Sequence, residues 1–346
     1  MNSLSHRPHR PSPETRRGFR ITATALACSA ALFLGACATE DTEPTGPEVE
    51  DAVGLTVDAP RVTLHDAGSG ELQQLRYADA PDSVDAPGAE EQSIIVSVAD
   101  GFTQSVVPAA DVDPTAPEGG ETNTMRLPMT ADLTSIEPDE EDALPASRAI
   151  SLEVGQPAYT DVELAEDIQS TAGFTMGVQT DDRGQQSSLN FAAPVDATDT
   201  GRLLMEQYLL KYASLPVVFP ADEVGVGANW SVDSRVSGES SLLQTLTFTI
   251  TGIRGDVIDL DVSVSQRPSL GAIDISQDTT GVTEDTPEQL AVLNSNTTST
   301  GAITVDLNQP VPTSGAISWT TRVIYGGGTD DLRVVQDTTS SISFDD

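Results

Sequence analysis

Two neighbouring segments, TLTFTIT at residues 245–251 and VIDLDVSVS at residues 257–265, alternate apolar and polar side chains. A period of two places the apolar residues on one face of an extended chain and the polar residues on the other, which is the pattern of a half-buried β-strand. The segment GIRGD at residues 252–256 carries two glycines, which suits a tight turn. These residues therefore predict an antiparallel hairpin with one face against the core and the other in water.

The same alternation recurs along most of the chain. Many of the alternating segments are rich in threonine, serine and valine, which suit a pleated and half-solvated surface. Before the hairpin, strands are predicted at residues 60–66, 71–78, 93–99, 102–107, 123–135, 147–154, 171–180 and 185–192. After the hairpin, strands are predicted at residues 303–307, 317–325, 332–334 and 342–344.

One segment has a different period. Residues 202–215 (RLLMEQYLLKYASL) place Leu204, Tyr208 and Tyr212 on one side at helical spacing, and Pro216 ends the helix because proline cannot continue its hydrogen-bond pattern. The predicted fold class is α+β and mostly antiparallel β, with a large curved sheet on which this main helix packs. The alternative is a pair of β-sandwich-like halves.

The first 36 residues differ in charge from the rest. The whole chain has 17 basic and 54 acidic residues and a formal net charge of −37, whereas residues 1–36 hold five arginines and one glutamate. They therefore carry +4, which leaves −41 for residues 37–346. A basic start followed by a short apolar run from Ile21 to Gly35 is the pattern of an export signal. Residues 1–36 are predicted to be a cleaved signal peptide.

The export signal carries two resemblances. Arg16, Arg17 and Phe19 resemble the twin-arginine export signal, with the general export route as the alternative. Residues 34–37 (LGAC) resemble the box that precedes the lipidated cysteine of bacterial lipoproteins. This resemblance implies that diacylglycerol is attached to Cys37 and that the signal is cleaved before it. An ordinary signal peptide cleaved nearby is the alternative.

The mature chain is predicted to be a tethered body. Residues 37–52 are rich in proline, glycine, threonine and acids, which predicts a disordered acidic tether. Residues 53–346 form the β-rich extracytoplasmic body, and a subdivision near residues 155–170 is the alternative to a single unit. The predicted location is the outer face of the cell membrane, held by the lipid anchor.

A further resemblance lies in the body. Residues 219–230 (FPADEVGVGANW) combine a proline-led loop, a Val-Gly-x-Gly-Ala run and a tryptophan that opens a strand. They resemble a segment of bacterial envelope lipoproteins for which no activity is established, and the similarity extends over about residues 170–346. The alanine- and aspartate-rich composition with a single lysine, Lys211, is typical of a high-GC genome such as an actinobacterial one.

The body offers few residue sets for catalysis. Its negative charge repels phosphate backbones, so no nucleic acid is expected as a partner. His65 is its one histidine, which leaves no ligand cluster for a transition metal. Asp199, Thr200 and Gly201 spell the aspartic-protease triplet, but no second copy supplies the partner carboxylate. No catalytic residue, metal or cofactor is therefore predicted.

These observations predict a lipid-anchored envelope protein that binds or interacts rather than reacts, with an envelope protein, glycan or lipid as partner. One alternative is a carrier whose sheet and helix enclose a hydrophobic ligand or lipid, with Leu204, Tyr208 and Tyr212 facing it. A hydrolase of unrecognised type is a further alternative, because an acidic chain always offers carboxylates for such chemistry.

Overall fold

The computed structural model describes residues 46–79, 91–136, 145–236, 242–274, 289–327 and 331–345. All of them lie in one compact unit, Pro44–Asp346. The predicted signal peptide, Cys37 and most of the predicted tether lie outside the described residues.

Strands dominate the described residues, and two α-helices lie between them. The strands of the first half are β1 (Val53–Thr56), β2 (Arg61–Asp66), β3 (Ser69–Gln73), β4 (Gln92–Pro108), β5 (Asn123–Ser135), β6 (Arg148–Val154), β7 (Ala158–Tyr159), β8 (Thr175–Thr180) and β9 (Gln186–Ala192). Those of the second half are β10 (Val224–Val226), β11 (Asn229–Val236), β12 (Leu242–Arg254), β13 (Val257–Pro268), β14 (Ala272–Asp274), β15 (Gln289–Asp306), β16 (Ser314–Gly326) and β17 (Leu332–Asp345). The helices are α1 (Ala165–Gln169) and α2 (Asp199–Ala213), and a short 3₁₀ turn covers Ala109–Asp111.

Fifteen of the strands form one antiparallel sheet. Its order is β1-β9-β8-β6-β5-β4-β17-β16-β15-β13-β12-β11-β2, with β7 beside β5 and β14 beside β15, while β3 and β10 pair separately. The α+β prediction with a large antiparallel sheet and one main helix is confirmed, and the alternative of two sandwich-like halves is not what forms. The strands β6 and β8 lie before and after residues 155–170 in the sequence, and they pair directly with each other.

The hairpin predicted from residues 245–265 is formed by β12 and β13. Leu246 lies opposite Val264 and Phe248 lies opposite Val262, and all four side chains are buried. The threonines and serines between them point to the other face, as the period of two requires. Gly255 supplies the positive φ of the turn.

The main helix α2 begins three residues before its predicted start and ends two residues before its predicted end. The side chain of Thr198 caps it by accepting a hydrogen bond from the Gly201 N–H at 3.1 Å. The earlier end follows from Pro216, since the residue before a proline is disfavoured in the helical region. One side of the helix packs on the sheet through the buried residues Met205, Tyr208, Leu209 and Ala213.

None of the helices among the described residues combines the length and the apolar character needed to cross a membrane.

Candidate functional site

A crevice of about 80 Å³ lies where the end of α2 meets the sheet. Its walls come from α2 and the segment that follows it, from β6 and β8, and from residues 310–312. Most of the lining is apolar, and Tyr212, Val217 and Phe344 contribute to it. The crevice therefore lies between the helix and the sheet, but at one end of the helix rather than along its length.

Arg148 provides the charged group of the crevice. It is the first residue of β6 and shares the inward face of that strand with Ile150, Leu152 and Val154, so its side chain is only 1% exposed. The guanidinium lies over the Tyr77 ring, 4.8 Å from its centre, and Nε donates a hydrogen bond to the Ala78 carbonyl oxygen at 3.1 Å. Burial lowers the pKa of Arg148 from its ordinary value, but a guanidinium stays protonated in proteins. The crevice thus contains a buried positive charge.

Two of the described carboxylates that act on this charge already have other partners. Asp181 pairs with Arg183 at 2.9 Å, and Asp182 pairs with Arg76 at 3.2 Å. In the described parts of the chain, no carboxylate makes an ion pair or hydrogen bond with Arg148. The Nη2 atom of Arg148 is buried and has no hydrogen-bond partner among the described residues. This guanidinium therefore keeps a donor that nothing in the described chain accepts.

Thr180 adds a second unused polar group to the same crevice. It lies directly opposite Arg148 in the pairing of β6 with β8, and it is 4% exposed. Its Oγ1 is also buried without a partner among the described residues. Leaving a buried polar group unsatisfied costs about 1–3 kcal/mol, so two such groups side by side in one crevice call for an explanation.

Backbone contacts fix the walls around these groups. The Ala78 N–H donates a hydrogen bond to the Leu307 carbonyl at 2.8 Å. This bond holds residue 78 in place, and with it the Ala78 carbonyl that accepts from Arg148. The Tyr77 hydroxyl donates to the Val217 carbonyl at 3.3 Å. Gly184 has a φ of +87°, and a Cβ there would overlap the Val217 carbonyl and the Tyr77 ring. Only glycine lets the turn after β8 approach Val217 so closely.

The structure separates the three side chains that the sequence placed on a ligand-facing side of the helix. Tyr212 lines the crevice, and its ring lies against the Phe344 ring with centroids 6.4 Å apart. Tyr208 is buried in the filled core, where its hydroxyl donates to the Asn123 carbonyl at 3.2 Å and lies 3.2 Å from the Tyr159 hydroxyl. Leu204 packs against the same core. Cys37 and the export residues Arg16, Arg17 and Phe19 lie outside the described residues.

The sequence patterns did not indicate Arg148 or Thr180 as site residues. The available signal was the register: Arg148 is in phase with Ile150 and Leu152, and Thr180 is in phase with Val178. An arginine at the first position of a strand is expected to extend its side chain into water, because charged side chains are almost never fully buried unless paired. The register alone therefore did not identify Arg148 as buried.

A second depression, of about 370 Å³, lies over β4 and β5 and is lined by Ile95, Pro128, Thr130 and Glu153 among others. It is larger than the crevice at Arg148. However, it holds none of the buried side-chain atoms that lack a hydrogen-bond partner among the described residues. Volume alone does not indicate a ligand, so the smaller crevice is the better candidate site.

Two further sequence motifs have structural roles. Asp199 is the first residue of α2, so the Asp-Thr-Gly triplet is a helix start. His65 Nε2 lies 2.9 Å from Ser231 Oγ, between β2 and β11. Within the described ranges, no three histidine, cysteine or acidic side chains are grouped closely enough to hold a metal ion. Comparison with protein-family models, with curated proteins and with solved structures finds no match.

Proposed function

We propose that this chain is a lipid-anchored extracytoplasmic binding protein whose body takes up a small ligand in the crevice at Arg148. The observation that carries the proposal is the pair of buried, unpartnered polar groups of Arg148 and Thr180 in a crevice with mostly apolar walls. Binding sites typically combine apolar walls with a few convergent polar groups.

The location rests on the residues around Cys37. The basic start, the apolar run and the LGAC box support export and lipid attachment, and the acidic segment after them supports a tether. The mature chain, residues 37–346, carries a net charge of −41, so anionic lipid headgroups repel it. A covalent lipid is therefore the means by which such a body stays at a membrane surface.

The size of the crevice supports a small ligand over an intact lipid. Pockets for drug-sized molecules measure roughly 300–1,000 Å³, whereas this crevice measures about 80 Å³. The face of α2 that could have lined a larger cavity is instead packed, with Met205 and Leu209 at 0% exposure. A lipid chain would have to displace these side chains from the core.

Replacing Cys37 with alanine is expected to abolish lipid attachment, because its thiol is the proposed acceptor of the diacylglyceryl group. Metabolic labelling with a tagged fatty acid and fractionation of the cells would show an unlabelled protein that is released from the membrane. Cys28→Ala is the matched control and should keep both label and membrane association. If Cys37→Ala is still labelled, the anchor is assigned to the wrong residue.

Filling the crevice is expected to abolish ligand binding by the purified body. Ala213 lies at the end of α2 and lines the crevice, so Ala213→Leu places three additional carbons there. Thermal unfolding of the body with panels of small anionic, neutral and cationic compounds should show stabilisation by at least one compound class, since a ligand that binds only the folded state raises its stability. That stabilisation should disappear in Ala213→Leu.

The control for this substitution is Ala149→Leu, because Ala149 follows Arg148 on β6 and points to the opposite face of the sheet. It should respond to the same compounds as the unmodified body. If no compound of any charge class stabilises the unmodified body, or if both variants respond alike, the crevice is not a binding site.

A further inference from the structure

We propose that the ligand of the crevice is a monocarboxylate with a short aliphatic chain, whose carboxylate accepts hydrogen bonds from Arg148 and Thr180. This inference rests on the proposed binding function and adds the chemical class of the ligand. It follows from the donors, the charge and the size of the crevice.

The two unused groups match a carboxylate. Arg148 Nη2 can only donate, and the Thr180 hydroxyl can donate as well, so the complementary ligand group is an acceptor. A carboxylate offers two acceptor oxygens and a negative charge, and its hydrogen bonds with a guanidinium are among the strongest in proteins. Because Arg148 and Thr180 are direct neighbours across β6 and β8, one carboxylate can contact both.

The surrounding charges favour a single negative charge on the ligand. Asp79, Asp181 and Asp182 are close enough to Arg148 to act on it electrostatically. Arg183 and Arg76 pair with Asp181 and Asp182, so one guanidinium, Arg148, is left to balance one negative charge. A dianion such as phosphate would keep an unbalanced second charge in a poorly screened environment on which Asp79 also acts. A monoanion is therefore the better match.

The remaining walls favour a short aliphatic chain. Ile150, Val178 and Val217 line the crevice beside the two polar groups. A cavity of about 150 Å³ holds benzene, which has six non-hydrogen atoms, so about 80 Å³ accommodates roughly three or four. Acetate and propionate are close to this size, and a longer chain would have to extend out of the crevice.

Water is the competing occupant, because a water molecule needs only a small polar cavity and two or more partners. The two occupants differ in what added solutes do. A site satisfied by water gains nothing from added carboxylate, whereas a carboxylate site is stabilised in proportion to the logarithm of the added concentration.

The experiment is a titration of the full mature body with sodium acetate, propionate, butyrate and hexanoate at constant ionic strength maintained with sodium chloride. Binding is measured by calorimetry and by thermal unfolding. Acetamide and propionamide are the neutral analogues of the same shape. We expect binding of the short carboxylates and none of the amides, with hexanoate weaker than propionate because of the crevice size.

Three variants locate the binding groups. Arg148→Met is expected to weaken carboxylate binding about tenfold or more, because a charge-assisted hydrogen bond is lost. Thr180→Val keeps the shape of the side chain and is expected to weaken binding about two- to tenfold. Arg126→Met, on the exposed face of β5, is the control and should bind as the unmodified body does. If Arg148→Met does not fold, the carboxylate affinity of Thr180→Val shows whether the ligand binds at this pair of residues.

The outcomes separate this inference from the proposed function. If the amides bind as tightly as the carboxylates, the crevice binds ligands but does not select carboxylates. If chloride alone stabilises the body as much as acetate does, the site takes a simple anion and the inference is overturned. If none of these solutes binds, and no compound in the wider panels does, both the inference and the proposed function fail.

Discussion

Replacing Trp230 with alanine is expected to lower the free energy of unfolding by about 3–5 kcal/mol, the usual cost of deleting a large buried aromatic side chain. Trp230 is 0% exposed at the start of β11. Its ring stacks on Phe248, with centroids 5.4 Å apart and planes at 22°, and it also contacts Phe219 at 5.9 Å. Its Nε1 donates a hydrogen bond to the Val218 carbonyl at 2.8 Å. The substitution therefore opens a cavity and leaves a buried carbonyl without its donor.

Urea denaturation followed by circular dichroism would measure this loss. Trp230→Phe is the informative comparison, because it keeps most of the apolar contact and removes the hydrogen bond. It should cost less than the alanine variant. Phe102→Ala removes an aromatic side chain that is 57% exposed and should cost under about 1 kcal/mol. A loss at Trp230→Ala no larger than that at Phe102→Ala would contradict the close packing of Trp230 in the core.

Trp230 also connects the core to the crevice. The Val218 carbonyl accepts from Trp230, and the neighbouring Val217 carbonyl accepts from Tyr77. The side chains of Tyr77 and Trp230 thus hold the short segment after α2 in place. Val217 in this segment lines the crevice. The shape of the crevice is therefore set by the core and not by the helix alone.

The local elements of this fold could be predicted because they depend on short-range patterns. Residues 245–265 fold as a hairpin because the alternation and the turn residues agree, and α2 forms where the period changes to that of a helix. The order of the strands could not be predicted in the same way. The pairing of β4 with β17 joins segments more than 200 residues apart, and no local pattern specifies which strand lies beside which.

The candidate site was predictable only in part, for a related reason. Tyr212 could be identified because its position follows from the period of one helix. Arg148 and Thr180 become a site only because β6 and β8 pair in one register, and because the end of α2 covers them. A sequence pattern gives the face of each strand but not the neighbour that closes over it.

Raising the pH above about 10 is expected to unfold the body cooperatively, because the folded state holds buried tyrosines in their neutral form. Burial raises the pKa of Tyr77 and of Tyr212, and burial, together with the hydrogen bond that it shares with Tyr159, raises the pKa of Tyr208. In the unfolded chain these phenols ionise near pH 10, whereas in the folded chain they keep their protons to higher pH. The stability is therefore complete below about pH 10 and is lost as the pH rises further.

The size of this loss follows from the number of protons. Each tyrosine that stays protonated only in the folded state lowers the free energy of unfolding by about 1.4 kcal/mol per pH unit, so Tyr77, Tyr208 and Tyr212 together lower it by about 4 kcal/mol per pH unit. A domain with a stability of roughly 5–15 kcal/mol would unfold within a few pH units. Urea titrations at several alkaline pH values would measure the slope, and the absorbance of tyrosinate would show whether ionisation accompanies unfolding.

Single substitutions of tyrosine by phenylalanine show how much each tyrosine contributes to the pH dependence of the free energy of unfolding. Tyr212→Phe removes one of the protons and should reduce the slope by about 1.4 kcal/mol per pH unit, and Tyr208→Phe should do the same while also losing the hydrogen bond to the Asn123 carbonyl. Between about pH 7 and pH 9 these phenols are protonated in both states, so there the variants and the unmodified body should show the same pH dependence. Because Tyr77 and Tyr212 line the crevice, ligand affinity should also hold up to the pH at which the body unfolds. Tyrosinate that appears well before unfolding and is reduced in Tyr212→Phe would mean that water reaches the Tyr212 phenol, and the closed packing around the crevice would then be wrong.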